Sequence, residues 1–259
     1  VADRATDIRR RSGSLMTYGP AMAAAYDRGR RLREGDVERW MVAARPYLPS
    51  GAGWILDLGA GTGRFSDALA AISGASVVAC EPSADMRAVL RANVPVVGGT
   101  GEAIPFGAGV FDAVWASQMI HHVGDLPGFA AELRRVLRPA GRVLIRGGFG
   151  PVQEIPLYRY FPSAWADGTA ARLGLDRITE VLTAAGFATV ECLQVEQTFV
   201  ADADEFVEKA ASRSLSPLAA LPDQAFEDGL AALRRDAAEG RVTGPIVERL
   251  DLVVFRAGP

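Results

Sequence analysis

The residue types best suited to chemistry are concentrated in one short stretch: Asp57, then Gly59, Gly61 and Gly63 on alternate positions, between the apolar run 54–56 and an Ala/Leu-rich segment. Glycine tolerates positive φ and lets a ligand approach the main chain with no Cβ in the way, so this turn reads as a binding surface. It opens into a helix start, whose free N–H groups favour a carboxylate or a phosphate. A dinucleotide-binding turn uses G-x-G-x-x-G with an acidic residue about 20 positions on. Here the third glycine, Gly63, comes one residue early, and Asp57 stands two residues before the first. A turn that only connects a strand to a helix is the other reading. For proton chemistry the candidates are His121 and His122, the chain's two histidines. Their ordinary pKa lies near neutrality, although a histidine near a site can also cap or pack without moving a proton.

The elements that must hold these groups alternate along the chain. Strand 54–59 leads to helix 64–73, strand 76–80, helix 83–92, strand 94–97, strand 111–117, helix 125–138 and strand 142–146. Such alternation implies right-handed crossovers and a parallel sheet whose ligands bind beyond the strands' carboxyl ends. The glycine turn falls at such an end. Residues 16–47 place Met22, Tyr26, Leu32, Val37, Trp40 and Met41 at helical spacings, a layer that either covers a ligand or packs on the sheet edge. Residues 149–172 are aromatic and broken by proline, with Tyr158, Tyr160, Phe161 and Trp165. Helices over 174–186, 202–213 and 222–239 and strands over 188–200 and 246–256 complete the chain. The expected organisation is one domain over 1–259: a helical lid 1–50, a cofactor-binding core 51–148, a cap 149–245 and a last strand 246–259.

Composition narrows the function classes. A net charge of −3, from 28 basic and 31 acidic residues spread along the chain, leaves no field that would hold a phosphate backbone. Nucleic acid is therefore not an expected partner. Hydrophobic residues at 49% and charged residues at 23% suit a globular chain with a sizeable core. No apolar run approaches the roughly 18 residues of a membrane span, and the first residues lack a signal peptide's apolar segment. A cytoplasmic protein without a membrane partner is expected. Cys80 and Cys192 read as buried thiols rather than a disulfide framework. With no CxxC and adjacent histidines, no metal site is expected.

The D-x-G-x-G-x-G arrangement of Asp57, Gly59, Ala60, Gly61 and Gly63 resembles motif I of the class I S-adenosylmethionine-dependent methyltransferases, closest to the small-molecule branch of ubiquinone- and menaquinone-biosynthesis methyltransferases. Further stretches carry the likeness. In Cys80-Glu81-Pro82-Ser83-Ala84-Asp85-Met86, the resemblance implies that Glu81 accepts both ribose hydroxyls, beside Pro82, and that Met86 lies on the adenine face. A carboxylate is well suited to two O–H donors; an acidic residue ahead of a helix is also simply favourable charge. Gly99-Thr100-Gly101-Glu102 matches the adenine-edge segment. Thr100 stands where aspartate is common, so a carboxylate at 100 is lost, while the Gly101 backbone can still donate and Glu102 is a neighbouring candidate. Phe111–Val123 resembles the fourth strand and its loop, making Ser117 and Gln118 contacts for the methionine portion. Tyr26-Asp27-Arg28-Gly29-Arg30 matches a Y-D-x-x-R pattern, with Tyr18 upstream. The implied lid covers the cofactor with tyrosines and pairs Arg30 with its carboxylate; a solvated arginine fits equally well.

The resemblance implies a Rossmann-like, doubly wound, seven-stranded α/β sheet, mostly parallel with an antiparallel last strand, plus the helical lid and a helical cap insertion. It implies methyl transfer from S-adenosylmethionine, with S-adenosylhomocysteine as product, by in-line displacement onto an oxygen, nitrogen or carbon atom of a small organic acceptor, such as a secondary metabolite. His121, His122, Tyr158 or Glu154 would take a proton where the acceptor carries one. Phe206, Arg213 and Phe226 either line the acceptor pocket or pack the cap helices. The rivals are a nicotinamide-dependent oxidoreductase on a similar sheet and a catalytically silent S-adenosylmethionine-binding subunit.

Overall fold

A computed structural model describes residues 32–149, 156–166, 173–213 and 215–259. The strands are β1 (Trp54–Leu58), β2 (Ser76–Cys80), β3 (Val96–Val97), β4 (Phe111–Ser117), β5 (Leu137–Gly147), β6 (Phe187–Val200) and β7 (Ile246–Ala257). They form one seven-stranded sheet in the order β3-β2-β1-β4-β5-β7-β6. Its pairs are parallel from β3 through β5, and β7 runs antiparallel to both β5 and β6. The parallel part is what the alternation implies, and the Rossmann-like seven-stranded sheet with its antiparallel last strand is what the resemblance implies. The order reverses between β1 and β4, which opens a crevice beyond their carboxyl ends.

Continuous apolar strands require cover on both faces. On one face, α1 (Glu34–Ala44) and α2 (Ser66–Ser73) bury Trp40, Met41, Phe65 and Leu69 against Ile55, Trp115, Leu144 and Leu252. On the other, α4 (Leu126–Val136) and α7 (Leu175–Ala184) bury Phe129, Leu133, Ile178 and Leu182 against Leu56, Val114, Val143 and Phe255. The short α3 (Ala84–Ala88) follows β2. It ends sooner than the expected 83–92, and the chain that leaves it sets Leu90 and Ala92 beside Gly63.

The cap has a core of its own. The short helices α5 (Pro156–Tyr160), α6 (Ser163–Ala166) and α9 (Ser216–Ala219), with α8 (Ala203–Ala211) and α10 (Asp223–Ala238), gather Tyr160, Phe161, Phe206, Phe226 and Leu233 around Phe199 and Val200 of β6. Tyr160 donates its hydroxyl to Asp236 at 2.9 Å, closing α5 onto α10. Residues 34–44 of the expected lid pack on the sheet, where the Asp36 carboxylate accepts the Thr198 N–H at 3.1 Å. Cys80 is buried as expected, but Cys192 is exposed. It lies on the sheet's terminal strand, where residues 188–192 run clear of the helices that cover Phe187. Among the described residues, no helix is long and apolar enough to cross a membrane.

Gly229 of α10 tests how tightly the cap is packed. A Cβ there would lie 2.5 Å from Phe161 Cδ1 and 2.6 Å from the Tyr160 carbonyl oxygen. Alanine normally stabilises a helix interior, yet Gly229→Ala is expected to destabilise the protein by about 1–3 kcal/mol through overpacking. Urea denaturation checks the sign.

Candidate active site at the carboxyl ends of β1, β2 and β4

The turn after β1 adopts the left-handed region at each of its alternate glycines, with φ of 69° at Gly59, 59° at Gly61 and 80° at Gly63. Side chains are strained there, and a Cβ on Gly59 would also come within 2.7 Å of Met119 Cβ. The turn is hooked onto the end of β2. Gly59 and Ala60 donate N–H groups to the Cys80 carbonyl at 2.8 and 3.2 Å, and Gly63 donates to Ala60 at 2.9 Å. Gly61 donates to Glu81 Oε2 at 2.9 Å, while Glu81 Oε1 accepts the Ser83 N–H at 2.9 Å. Those main-chain donors are spent inside the protein. A pyrophosphate would find a carboxylate where a dinucleotide turn offers N–H groups, which counts against the nicotinamide reading.

Two acids face this turn. Asp57 is 2% exposed, and Ser66 of α2 donates its hydroxyl to Oδ2 at 2.6 Å. Burial, opposed by that hydrogen bond and reinforced by the charge on Glu81, raises the Asp57 pKa to about 7. Glu81, 6% exposed, is also raised, first by burial, with the Ser83 and Gly61 N–H groups and Arg87 pulling back. Burial first, and then Glu81, pushes the Cys80 thiol up to about 12, which keeps it inert. Each Glu81 oxygen has accepted one N–H, and a carboxylate oxygen carries a second lone pair. The pair suits a cationic ligand that also carries a diol, and S-adenosylmethionine fits this donor and acceptor set.

The neighbouring loops are braced from behind. Pro82 follows Glu81, and Ser83 caps α3 by accepting the Met86 N–H at 3.3 Å, with Met86 2% exposed. Gly101 is held against the Phe129 ring, which a Cβ would approach to 2.8 Å. The Glu102 Oε1 accepts the Gly124 N–H at 2.8 Å, so this side chain ties its own loop to the start of α4. The Glu132–Arg135 pair of α4 grips the same segment. Glu132 accepts the Ile104 N–H at 2.8 Å, and Arg135 donates to the Phe106 and Ile104 carbonyls at 2.6 and 2.8 Å.

At the end of β4, Ser117 accepts a hydrogen bond from Arg146 at 3.1 Å, and Gln118 holds a φ of 52°. A non-glycine residue in that region costs of order 1–3 kcal/mol and persists where its surroundings dictate it. His121 is half-buried and His122 exposed in the turn Ile120–His122, their rings 4.0 Å apart. Of the expected site residues, Gly59, Ala60, Gly61 and Glu81 are brought together by the crossing hydrogen bonds, with Asp57, Gly63 and Pro82 next to them along the chain. Ser117, Gln118, His121 and His122 flank them on the β4 loop. Tyr18, Tyr26, Arg30 and Glu154 lie outside the described residues. Phe206 and Phe226 sit inside the cap core, at 1% and 5% exposure, and Arg213 lies over the Phe226 ring at 4.6 Å; the cap packs around all three. Arg135, Glu132 and Arg146 escaped the sequence reading, since charged residues at those positions look like ordinary helix and strand surface.

Asp57 gives this turn a pH signature. With its folded pKa raised from 3.8 to about 7, the folded protein binds a proton that the unfolded chain releases between those values, so stability is greatest below the window and falls as pH rises through it. The melting temperature of the wild type minus that of Asp57→Asn is expected to decline from about pH 4 to about pH 7 and to level off above. A flat difference would make Asp57 an ordinary carboxylate.

Comparison with known proteins agrees with this geometry. A family described as "Methyltransferase domain" matches residues 56–145. An uncharacterised methyltransferase of Mycobacterium bovis is 35% identical over 213 residues, covering 79% of each chain. A demethylmenaquinone methyltransferase of Clavibacter sepedonicus is 37% identical over 147 residues, 54% of this chain and 60% of the relative. Among solved structures, a protein of Anabaena variabilis assigned as an antibiotic-pathway methyltransferase superposes with a TM-score of 0.64 at 26% identity, over 84% of this chain and 96% of its own. With its strand order, its glycine turn and these relatives in agreement, the chain belongs to the class I S-adenosylmethionine-dependent methyltransferases.

Proposed function

We propose that the protein methylates a small, moderately apolar organic molecule, and that the site described above is where it does so. The observation that carries the cofactor assignment is the Glu81 carboxylate: it is fixed by two backbone N–H groups and retains one accepting lone pair on each oxygen. In this reading Glu81 takes the ribose hydroxyls and Met86 and Gly101 border the adenine. Asp57 and the Gly59–Gly63 turn hold the amino-acid end with Ser117 and Gln118, and Tyr18, Tyr26 and Arg30 close over it. Pro82 shapes the Glu81 corner, and Glu102 contributes through the loop it holds. The cofactor supplies a methyl group on a cationic sulfur, ready for in-line displacement. The chain's part is orientation and exclusion of water, worth on the order of 7–11 kcal/mol when donor and acceptor are aligned. The proposed layout is a single domain of lid 1–50, core 51–148, cap 149–245 and last strand 246–259.

The acceptor assignment rests on the names of relatives and on the cap. Demethylmenaquinone and antibiotic-pathway methyltransferases among the similar proteins favour a quinone-like or secondary-metabolite acceptor. Most cap rings are packed into the cap's own core, and Tyr158, half-buried beside that core, is the ring proposed to border the acceptor. His121 and His122 are the proposed proton acceptors, since both stand on the loop after β4.

Calorimetry with S-adenosylhomocysteine, together with methyl-labelled cofactor and a panel of phenols, quinols and amines, tests the reading. Binding and transfer to at least one acceptor are expected, and Glu81→Ala is expected to weaken binding by about 10- to 100-fold, the loss of hydrogen bonds to a charged group. Heat with NAD and none with S-adenosylhomocysteine would overturn it. With an acceptor in hand, replacing the general base among His121→Gln and His122→Gln is expected to lower kcat by about 10²–10⁴-fold and to remove the acid limb of the pH profile. Two unchanged profiles would leave both rings as packing.

A further inference from the structure

We propose that Arg146 is a positioning residue that sets the corner formed by Ser117 and Gln118 and ties it to α1. The proposal rests on the reading that this corner borders the cofactor. Arg146 lies at the carboxyl end of β5 and is 3% exposed, which is rare for a guanidinium and costly unless it is paired. Its side chain touches each element that converges here. It donates to Ser117 Oγ at 3.1 Å and to Gln197 Oε1 of β6, and its guanidinium lies 4.4 Å from the centroid of the Trp40 ring and 5.3 Å from that of Phe65. Phe65 ends the glycine turn, Ser117 ends β4, and Trp40 belongs to α1.

The main chain of the same residue completes the clamp. The Arg146 carbonyl accepts the Gln118 N–H at 2.8 Å, on the residue held at a φ of 52°. One arginine thus fixes Ser117 through its side chain and Gln118 through its backbone. Gln197 extends the network: its Oε1 also accepts the Trp40 indole N–H at 2.9 Å, and its Nε2 donates to Glu248. A carboxylate thus stands one amide away from the buried cation, and Trp40 of α1 is tied to that same amide. Replacing a whole buried polar set by apolar residues is often neutral for stability, whereas removing the guanidinium alone takes a donor from both Ser117 and Gln197. A guanidinium here supplies direction, since its planar fork reaches a hydroxyl, an amide oxygen and an indole face in fixed geometry.

The test compares wild type, Arg146→Met, Arg146→Lys, Ser117→Ala and the Met/Ala double variant for S-adenosylhomocysteine affinity, by calorimetry well below each melting temperature. Arg146→Met is expected to weaken binding by about tenfold or more, with Arg146→Lys in between because it keeps the charge and loses the fork. The double variant is expected to bind no worse than Arg146→Met, because the Ser117 contribution is already lost. Quenching of Trp40, read as the difference from the Trp40→Phe protein, is expected on ligand addition in wild type and absent in Arg146→Met. Affinities within about twofold of wild type in folded Arg146→Met, or strictly additive losses, would overturn the positioning role even if the melting temperature fell. Should Arg146→Met fail to fold, Arg146→Lys and Ser117→Ala decide by the same criteria. A wild-type protein that binds no S-adenosylhomocysteine would remove the underlying reading before any variant is compared.

Discussion

The Glu81 carboxylate joins two turns that have no sequence in common. One oxygen takes the Gly61 N–H from the turn after β1, the other takes the Ser83 N–H from the turn after β2. That bridge adds to the Gly59 and Ala60 hydrogen bonds to the Cys80 carbonyl, and the entropy of holding the glycine turn open therefore does not fall on whatever ligand arrives. With it, the turn is preorganised, and a carboxylate stands in the crevice where the sheet order reverses. Burial raises both acids from their ordinary values, and the charge on Glu81 adds to the rise at Asp57. A cation carrying hydroxyls relieves that strain, whereas a phosphate would add to it.

The layers around the sheet serve the same site in different ways. Helix α4 buries Phe129 and Leu133 on one face, and its Glu132 and Arg135 hold the backbone after β3. Helix α1 buries Trp40 on the other face, and through Gln197 and Arg146 it reaches the ends of β4 and β5. The cap closes around its own aromatic cluster, so its rings are bound first to one another. Catalysis by approximation needs such rigidity, because misplacing the reacting atoms by an ångström forfeits much of the gain.

The fold was legible because periodicity and glycine placement act locally. In the run 54–58, Ile55, Leu56 and Leu58 are apolar because both faces of the sheet are covered, and the strand boundaries at Ser76–Cys80 and Phe111–Ser117 fall where the sequence places them. Helix ends were less legible. Residues 83–92 look helical throughout, yet α3 stops at Ala88 and the chain beyond it sets Leu90 and Ala92 beside Gly63, a long-range contact that local pattern does not show. Cys192 shows the same limit: an apolar strand pattern implies burial, but a position on the terminal strand of the sheet leaves the thiol exposed.

By itself the sequence determined the α/β class, the turn that requires glycine and the acids that stand beside it, because each follows from steric or charge demands within a few residues. Tertiary structure alone decided that Glu81 reaches Gly61, that Arg146 meets Ser117, Trp40 and Phe65, and that Phe206 and Phe226 face their own cluster. These contacts join segments far apart along the chain. Which of many compatible partners a carboxylate or a guanidinium meets is settled only when the sheet order brings particular strand ends to one edge.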